Sequence, residues 1–298
     1  MLAVNRAVVA VLHALPSGLL WRFARRYVAG ATLPEALGVV RDLTKRGPTA
    51  TLDILGEDVS TLPEARADGA AYGEALRAIH RDRLPCSLSV KPTHMGLKLD
   101  RTLCLEILRS IAAEAAGLGN FVRLDMEDAT CTDATLELHQ ALRGEGWPVG
   151  VVLQAYLKRS AADARCLAAA RANVRLCKGI YRESPAIAFQ ERQVIRERFL
   201  ALLEILLAGG SFVGIATHDS WVIREAQRLV TRLGLPREAY EFQMLLGVRE
   251  DIRDRLLDEG ERLQIYVPYG EKWRTYCLRR FRENPQILLN VLTALVRR

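Results

Sequence analysis

The chain has 298 residues, of which 50% are hydrophobic, and this is enough material to bury a large core in one or two domains. The 42 lysines and arginines outnumber the 35 aspartates and glutamates and give a formal net charge of +7, but the two signs are interleaved along the chain. A nucleic-acid interface needs clustered positive charge, so the sequence argues against that partner and leaves only a weak attraction to anionic lipid open.

The N-terminal segment predicts helices that cover the rest of the fold. Its apolar stretch, residues 7–20, contains His13 and Pro16 and is too short to span a bilayer. Arg6 precedes this stretch as in a signal peptide, but no small-residue cleavage site follows it cleanly. A further helix is predicted over residues 33–46. We therefore expect a helical segment over residues 1–47 that packs on a barrel over residues 48–298, the whole forming one domain.

Short β-branched or apolar runs then alternate with polar loops and helical stretches. The runs cover residues 49–55, 87–91, 121–125, 150–154, 174–178, 212–217, 240–245 and 263–267. Between them lie Ala/Leu/Arg/Glu-rich stretches such as 186–208, in which apolar residues recur at intervals of three and four. Because parallel strands need a crossover, this alternation predicts a parallel sheet, and eight units in about 250 residues favour an α/β fold of the (βα)8 barrel type.

Polar or ionisable residues end most of the predicted strands. They are Lys91, Asp125, Gln154, Lys178, His218 and Tyr266. Barrel enzymes carry their chemistry at the carboxyl ends of the strands, so this pattern predicts an active site at that end of the barrel.

Lys91 and Asp125 end consecutive predicted strands, so we expect them to lie side by side and to keep each other ionised. A single lysine at this place also suits an enzyme that forms a Schiff base, and that interpretation stays open. The run 125–128, Asp-Met-Glu-Asp, allows a metal hypothesis. Without a nearby histidine, these carboxylates favour a solvated loop instead.

Residues 175–181 place Arg175 and Cys177 on one face of a strand, with Gly179 permitting close backbone approach. No histidine adjoins Cys177, so it is not predicted to be a nucleophile. His218 is expected to be a hydrogen-bonded strand-end residue, because Asp219 beside it points to the opposite face. No G-x-G-x-x-G or Walker sequence is present, so a nucleotide cofactor would not be held by a Rossmann turn.

No metal-binding or redox role is predicted for the cysteines, and no role for the remaining histidines. The six cysteines form no C-x-x-C pair, which argues against a zinc ribbon or redox dithiol and favours a reducing cytoplasm. The other histidines are interpreted as helix-surface or loop residues: His13, His80, His94 and His139.

The C-terminal stretch 266–285 is the most informative. Gly270 can end the last strand and open a helix. On that helix Tyr276 lies four residues before Arg280, and Arg279 lies four before Glu283, so the four side chains share one sector. Two guanidinium forks suit a bound carboxylate, with Glu283 orienting one of them. A solvated basic face with an internal ion pair fits the same spacing.

Together these stretches resemble the proline dehydrogenase family, in both its small bacterial form and the equivalent domain of larger bifunctional proteins. The resemblance runs from about residue 40 to 290. Its strongest part is Y-x-P-x-G at 266–270 followed by Y-x-x-R-R-x-x-E-N at 276–284. Shorter matches occur in the same order: VK at 90–91, LD at 124–125, QAY at 154–156, RLxKGxY at 175–181, ATH at 216–218 and EFQ at 241–243.

The resemblance implies a barrel that holds FAD over the carboxyl ends of its strands, with the last helix above the flavin. It implies oxidation of L-proline to 1-pyrroline-5-carboxylate, a quinone as electron acceptor, and a cytoplasmic enzyme that contacts the inner face of the membrane peripherally. A downstream pyrroline-5-carboxylate dehydrogenase is an expected partner, and no metal is implied. A hydroxyproline dehydrogenase is the alternative within the family, and a Lys91 Schiff-base lyase or an anion-binding barrel without activity are the alternatives outside it.

The same resemblance assigns residues. Arg175, Lys91 and Asp125 are expected to take part in catalysis, with Arg175 near the reactive nitrogen of the flavin. The expected substrate-binding residues are Lys91, Tyr266, Tyr276, Arg279, Arg280 and Glu283. The expected cofactor-binding residues are Asp125, Gln154, Arg175, Cys177, Lys178, Gly179, Thr217, His218 and Gln243.

Overall fold

A computed structural model of the chain describes residues 21, 22 and 24–277, and its strands close into a barrel. The strands are β1 Thr49–Ile54, β2 Cys86–Val90, β3 Val122–Leu124, β4 Val149–Gln154, β5 Val174–Cys177, β6 Val213–Ala216, β7 Tyr240–Leu245 and β8 Leu263–Tyr269. Each strand pairs in parallel with the next, and β8 pairs in parallel with β1. The predicted α/β barrel is confirmed.

A helix precedes β1, and further helices connect the strands. They are α1 Leu33–Thr44, α2 Leu62–Arg81, α3 Arg101–Gly117, α4 Thr132–Gly144, α5 Ser160–Ala169, α6 Arg192–Ala208, α7 Ser220–Arg232 and α8 Glu250–Asp258. The start predicted for α6, residue 186, is wrong. The backbone near Ala188 pairs with the loop after β4 instead: Phe189 N donates to Tyr156 O at 2.8 Å, and Lys158 N donates to Ile187 O at 2.9 Å.

Helix α1 packs on the barrel beside β1 and β8. Its N-terminus is fixed by Glu35, whose Oε2 accepts from the backbone N–H of Thr32 at 3.0 Å, and its apolar face buries Ala36, Leu37 and Val40. The chain just before α1 follows β8, with Ala29 N donating to Pro268 O at 2.8 Å. Within the part of the chain that the structure describes, no helix has the length and apolar character needed to cross a bilayer. Residues 7–20, including His13 and Pro16, lie outside the described residues.

The strands alternate between an apolar outer face and a polar inner face. On β1 and β2, the outward residues Leu52 and Leu88 join the core between strands and helices, whereas Thr51, Asp53 and Ser89 point into the barrel and are buried there. Most barrels fill their interior with branched apolar side chains. A polar interior has to satisfy its own hydrogen bonds, and this requirement shapes the site described next.

Candidate active site

A cavity of about 680 Å³ opens at the carboxyl ends of the strands. It is lined by most of the residues predicted from the sequence, namely Lys91, Asp125, Arg175, Cys177, Lys178, Gly179, Thr217, His218, Gln243, Tyr266 and Tyr276. Gln154 is buried but is not part of this lining. Arg279, Arg280 and Glu283 lie outside the described residues.

Lys91 follows β2 and forms a buried ion pair with Asp53 of β1, with its Nζ 2.5 Å from Asp53 Oδ1. Lys91 and Asp125 follow the paired strands β2 and β3, as predicted, and Asp125 helps to keep Lys91 charged, but the salt bridge of the ammonium group is with Asp53 on the other neighbouring strand. Burial opposes the charged lysine, but Asp53 and Asp125 outweigh it and raise the pKa of Lys91. Asp53 was missed because it lies within the first strand, although a charge in an otherwise uncharged run was a usable signal.

Asp125, immediately after β3, joins two other strands. Arg175 Nη1 of β5 donates to Asp125 Oδ1 at 2.8 Å, and Tyr266 OH of β8 donates to Asp125 Oδ2 at 2.8 Å. The guanidinium carbon of Arg175 also lies 5.2 Å from the centre of the Tyr266 ring. Burial, followed by the charges of Asp125 and Asp53, raises the pKa of Tyr266 well above its ordinary value, so this phenol remains a donor at neutral pH.

Positive charge gathers on the side of the cavity formed by β5 and β6. Lys178 Nζ and Arg196 Nε lie 2.9 and 2.8 Å from Asp219 Oδ2, and Arg192 Nη2 lies 3.6 Å from the same oxygen. Burial opposes the ionised carboxylate, but the hydrogen bonds from Arg196 and Lys178 outweigh it and hold the pKa of Asp219 well below its usual range. Asp219 therefore carries negative charge at neutral pH and draws these cations together at one end of the cavity.

Comparison with known proteins shows to which family this barrel belongs. The sequence model of the family described as proline dehydrogenase matches residues 36–290. The chain belongs to the proline dehydrogenase family. The match covers most of the chain, so the enzyme class and the expected fold hold for the barrel as a whole.

Individual relatives agree with this assignment. Proline dehydrogenase 1 of Bacillus subtilis (strain 168) is 37% identical over 275 residues, which are 92% of this chain and 91% of that protein. Proline dehydrogenase of Deinococcus radiodurans is 35% identical over 272 residues, 90% of this chain and 88% of that protein. The crystal structure of proline utilization A (PutA) from Bdellovibrio bacteriovorus inactivated by N-propargylglycine superposes with a TM-score of 0.81 at 26% identity, covering 88% of this chain and 32% of that one.

In this proline dehydrogenase, Lys91 is unsuited to Schiff-base chemistry. A lysine attacks a carbonyl group as the neutral amine, which requires a lowered pKa. The pKa of Lys91 is raised, and its ammonium group is bound by Asp53. The lyase alternative is therefore contradicted both by the family and by the electrostatics of this lysine.

The prediction of a solvated loop over residues 125–128 is wrong. Glu127 is buried and accepts from the backbone N–H and the hydroxyl group of Thr93 at 2.9 and 2.5 Å. Its backbone carbonyl accepts from Gln154 Nε2 at 2.8 Å, which explains why the Gln154 amide is turned away from the cavity lining. Among residues 21, 22 and 24–277, no group of three or more His, Cys, Asp or Glu side chains is arranged to hold a metal ion.

The buried side chain of Glu127 is expected to make the stability of the fold depend on pH. Burial raises the pKa of Glu127 to about 7 from an ordinary value of 4.5, so the folded protein binds more protons than the unfolded chain between these two values. The contribution to stability is therefore full below pH 4.5 and is lost as the pH rises to about 7, by about 3 kcal/mol. When wild type and Glu127→Gln are unfolded in urea at pH 5 and 7.5, the free energy of unfolding should fall less between the two pH values in the variant. Equal falls would contradict the assignment.

The predictions for Cys177 and His218 agree with the structure, whereas those for His94 and His139 do not. Cys177 lines the cavity, and burial raises the pKa of its thiol to about 11, so it is protonated at neutral pH, in line with the prediction that it is not a nucleophile. His94 and His139 are buried rather than exposed, and burial lowers the pKa of His139 to about 4. His218 is a hydrogen-bonded strand-end residue as predicted, with Nε2 accepting from Leu245 N at 2.9 Å. His13 lies outside the described residues.

Proposed function

We propose that the chain oxidises L-proline to 1-pyrroline-5-carboxylate with FAD bound in the cavity at the carboxyl ends of the strands. One observation carries the proposal. The Arg175 guanidinium is held by hydrogen bonds from Nε and Nη1, while its Nη2 group has no hydrogen bond to any other described residue. A buried, pre-oriented cation with a spare donor at the cavity wall is suited to a polarisable cofactor whose ring gains electrons.

The charge around the cavity fits FAD as well. Lys178, Arg192 and Arg196 surround Asp219, and three cations against one carboxylate leave a local charge of +2. The diphosphate of FAD carries about two negative charges, so this end of the cavity suits it. The backbone at Gly179 has φ +103°, and a side chain there would strike the ring of Tyr156, so this turn at the cavity wall requires glycine.

Residues of the lining would hold the cofactor and substrate in separate parts of the cavity. The residues proposed to hold FAD are Asp125, Arg175, Cys177, Lys178, Gly179, Thr217, His218 and Gln243; the role of Gln154 stays a prediction. FAD, when bound, supplies the electron sink for the hydride that leaves the ring carbon beside nitrogen. Arg279 and Arg280 would bind the substrate carboxylate, with Glu283 orienting a guanidinium.

The substrate side is proposed to be formed by Lys91, Tyr266 and Tyr276. All three line the cavity, and the phenol group of Tyr266 is fixed by Asp125. The carboxylate is not altered in the reaction, so these groups contribute by orienting the ring rather than by making bonds. Two tyrosines leave little space for an added hydroxyl group, which supports proline over hydroxyproline as the substrate.

We extend the proposal to the partners of the reaction. The electrons would pass to a quinone at the inner face of the membrane, and the net charge of +7 would favour contact with anionic lipid. Relatives in Klebsiella aerogenes and Escherichia coli are named bifunctional protein PutA, which supports a pyrroline-5-carboxylate dehydrogenase as the next enzyme. A cytoplasmic location, and a helical segment over residues 1–47 against a barrel over residues 48–298, belong to the same proposal.

The visible spectrum tests the proposal directly. Protein purified with added FAD should be yellow, and L-proline should bleach it without oxygen present. Hydroxyproline, given at the same concentration, should bleach it more slowly. A colourless protein after incubation with FAD, or a yellow protein that L-proline does not bleach, would contradict the proposed function.

The proposed binding of the substrate carboxylate by Arg279 and Arg280 gives a second expectation. Arg280→Met should raise the KM for proline about ten- to a hundredfold, because charge-assisted hydrogen bonds contribute about 1.5–3 kcal/mol each. FAD should stay bound. Arg255→Met, on helix α8 away from the cavity lining, is the matched control and should leave KM unchanged. Loss of flavin with an unaltered KM would show that Arg280 belongs to another part of the site.

A further inference from the structure

The side-chain amide of Gln243 is fully engaged inside the barrel. Its Oε1 accepts from Arg175 Nε at 2.5 Å, and its Nε2 donates to Glu241 Oε1 at 2.7 Å and to Gln264 Oε1 at 3.1 Å. Both N–H donors of this amide are therefore used by protein groups. Gln243 borders the cavity, but its main contact toward the site is the one that holds Arg175.

Glu241 and Arg175 together determine which way this amide points. A carboxylate only accepts hydrogen bonds, so the NH2 group of Gln243 must face Glu241 and its oxygen must face Arg175. The reverse orientation would place two donors against each other and two acceptors against each other. Glu241 is buried on β7 and is not part of the cavity lining, so it acts on the site through Gln243.

The contact between β5 and β7 passes over β6 at a glycine. Gly214 is paired with Arg175 on one side and Glu241 on the other. A Cβ atom on Gly214 would lie 2.4 Å from Gln243 Nε2, which is too close for any real contact. The absence of a side chain on β6 therefore makes the space in which Arg175 and Gln243 meet.

We propose that Glu241 is a positioning residue that fixes the Gln243 amide and, through it, the guanidinium of Arg175. This inference rests on the proposed function, because Arg175 contacts a cofactor only if FAD binds in the cavity. The line Glu241–Gln243–Arg175–Asp125–Tyr266 joins three strands and the end of β3 by the hydrogen bonds described above. Through these bonds, a buried glutamate outside the cavity lining affects the position of Arg175 at the proposed flavin site.

Two variants of residue 241 test the proposal. Glu241→Leu removes the acceptor, so Gln243 Nε2 keeps only its bond to Gln264 and the amide is held less firmly against Arg175. Bound flavin should then be reduced by proline about tenfold more slowly, the loss of about one hydrogen bond, with little change in KM. The visible spectrum of the oxidised flavin should shift. Glu241→Gln is the conservative variant: its amide oxygen can again accept from Gln243 Nε2, and both the rate and the spectrum should return toward wild type.

The control is Glu261→Leu. Glu261 accepts from Tyr240 OH at 3.2 Å and Gln227 Nε2 at 3.1 Å, away from the cavity lining, and this variant should reduce its flavin at the wild-type rate. A wild-type rate and spectrum in Glu241→Leu would overturn the proposal, as would a Glu241→Gln variant as slow as Glu241→Leu. Should Glu241→Leu be insoluble, Glu241→Asp replaces it: its shorter carboxylate should no longer reach Gln243 Nε2 and should slow reduction, and a wild-type rate overturns the proposal.

A measurement on FAD-free protein separates this inference from the proposed function. The ¹⁵N–¹H signal of the Arg175 Nε group, identified by its loss in Arg175→Lys, reports the contact with Gln243 without any cofactor. It should move in Glu241→Leu and return in Glu241→Gln. A wild-type protein that binds no FAD but shows this pattern would refute only the proposed function. A yellow, proline-bleached wild type without this pattern would refute only the role of Glu241.

Discussion

Replacing Asp53 by asparagine is expected to lower the free energy of unfolding by about 3–5 kcal/mol, because it leaves a buried ammonium group without its counter-ion. Lys91 and Asp53 are 7% and 1% exposed, so solvent cannot replace the lost carboxylate. Asparagine has nearly the same shape, and the loss therefore reports charge rather than packing. Urea unfolding at pH 7 measures it.

Two further variants show whether the effect is that of a buried charge. Asp42→Asn removes the partner of Lys45 on the surface of α1 and should change stability little, because exposed pairs contribute little. Asp53→Asn combined with Lys91→Met removes both charges and should recover part of the loss. The pairing would be contradicted if Asp53→Asn unfolded at the wild-type urea concentration.

The pH dependence of the Lys91–Asp53 pair has a defined sign. The pKa of Lys91 is raised in the folded protein, so its stabilising contribution is complete below the ordinary lysine pKa and is lost as the pH rises through the higher folded value. In Asp53→Asn the larger of the two attractions that offset burial is removed, and that of Asp125 remains. Lys91 should then release its proton at a lower pH, and the loss of stability should begin at a lower pH than in wild type.

The barrel was predictable because each strand is a short apolar or β-branched run with a clear end. The boundaries of β1, β4, β7 and most other strands agree with the sequence to within two residues. The start of α6 was not predictable, because helical spacing over 186–191 says nothing of the bridge between Ala188 and Leu157. That bridge joins two loops that are distant in the sequence.

The candidate site was predictable where it uses the ends of strands and not where it uses their interior. Local sequence places Lys91 at the barrel mouth, but it cannot rank Asp53 against Asp125 as its partner, because both neighbouring strands bring a carboxylate close. The contact of Arg175 with Gln243 crosses an intervening strand and depends on Gly214 being small. Such contacts follow from barrel closure and register, which no single segment encodes.

Replacing Arg175 by methionine is expected to slow the reduction of bound flavin by proline about a hundredfold, a loss typical of removing one pre-oriented donor from a reacting centre. Arg175 is buried, bonds to Gln243, Ser89 and Asp125, and has an Nη2 group at the cavity wall that bonds to none of the other residues that the structure describes. The KM for proline should change much less, because the proposed substrate contacts come from other side chains. Stopped-flow reduction without oxygen separates the two constants.

Arg175→Lys tests whether charge alone is sufficient. A lysine keeps the positive charge but has a single ammonium group, which cannot bond to Gln243, Ser89 and Asp125 in the geometry of the guanidinium fork. We expect it to reduce flavin nearly as slowly as Arg175→Met.

The matched control is Arg123→Lys, the same change at another buried arginine. Arg123 Nη2 donates to Asn173 Oδ1 at 2.6 Å, and its Nη1 donates to backbone carbonyls of β4 and of the segment before β5, away from the cavity lining. Arg123→Lys should lower the melting temperature but leave the reduction rate of the folded enzyme unchanged. If both lysine variants slow reduction equally, Arg175 acts through the stability of the barrel and not through contact with the cofactor. If neither does, positive charge at residue 175 is sufficient and the geometry of the guanidinium group is not required.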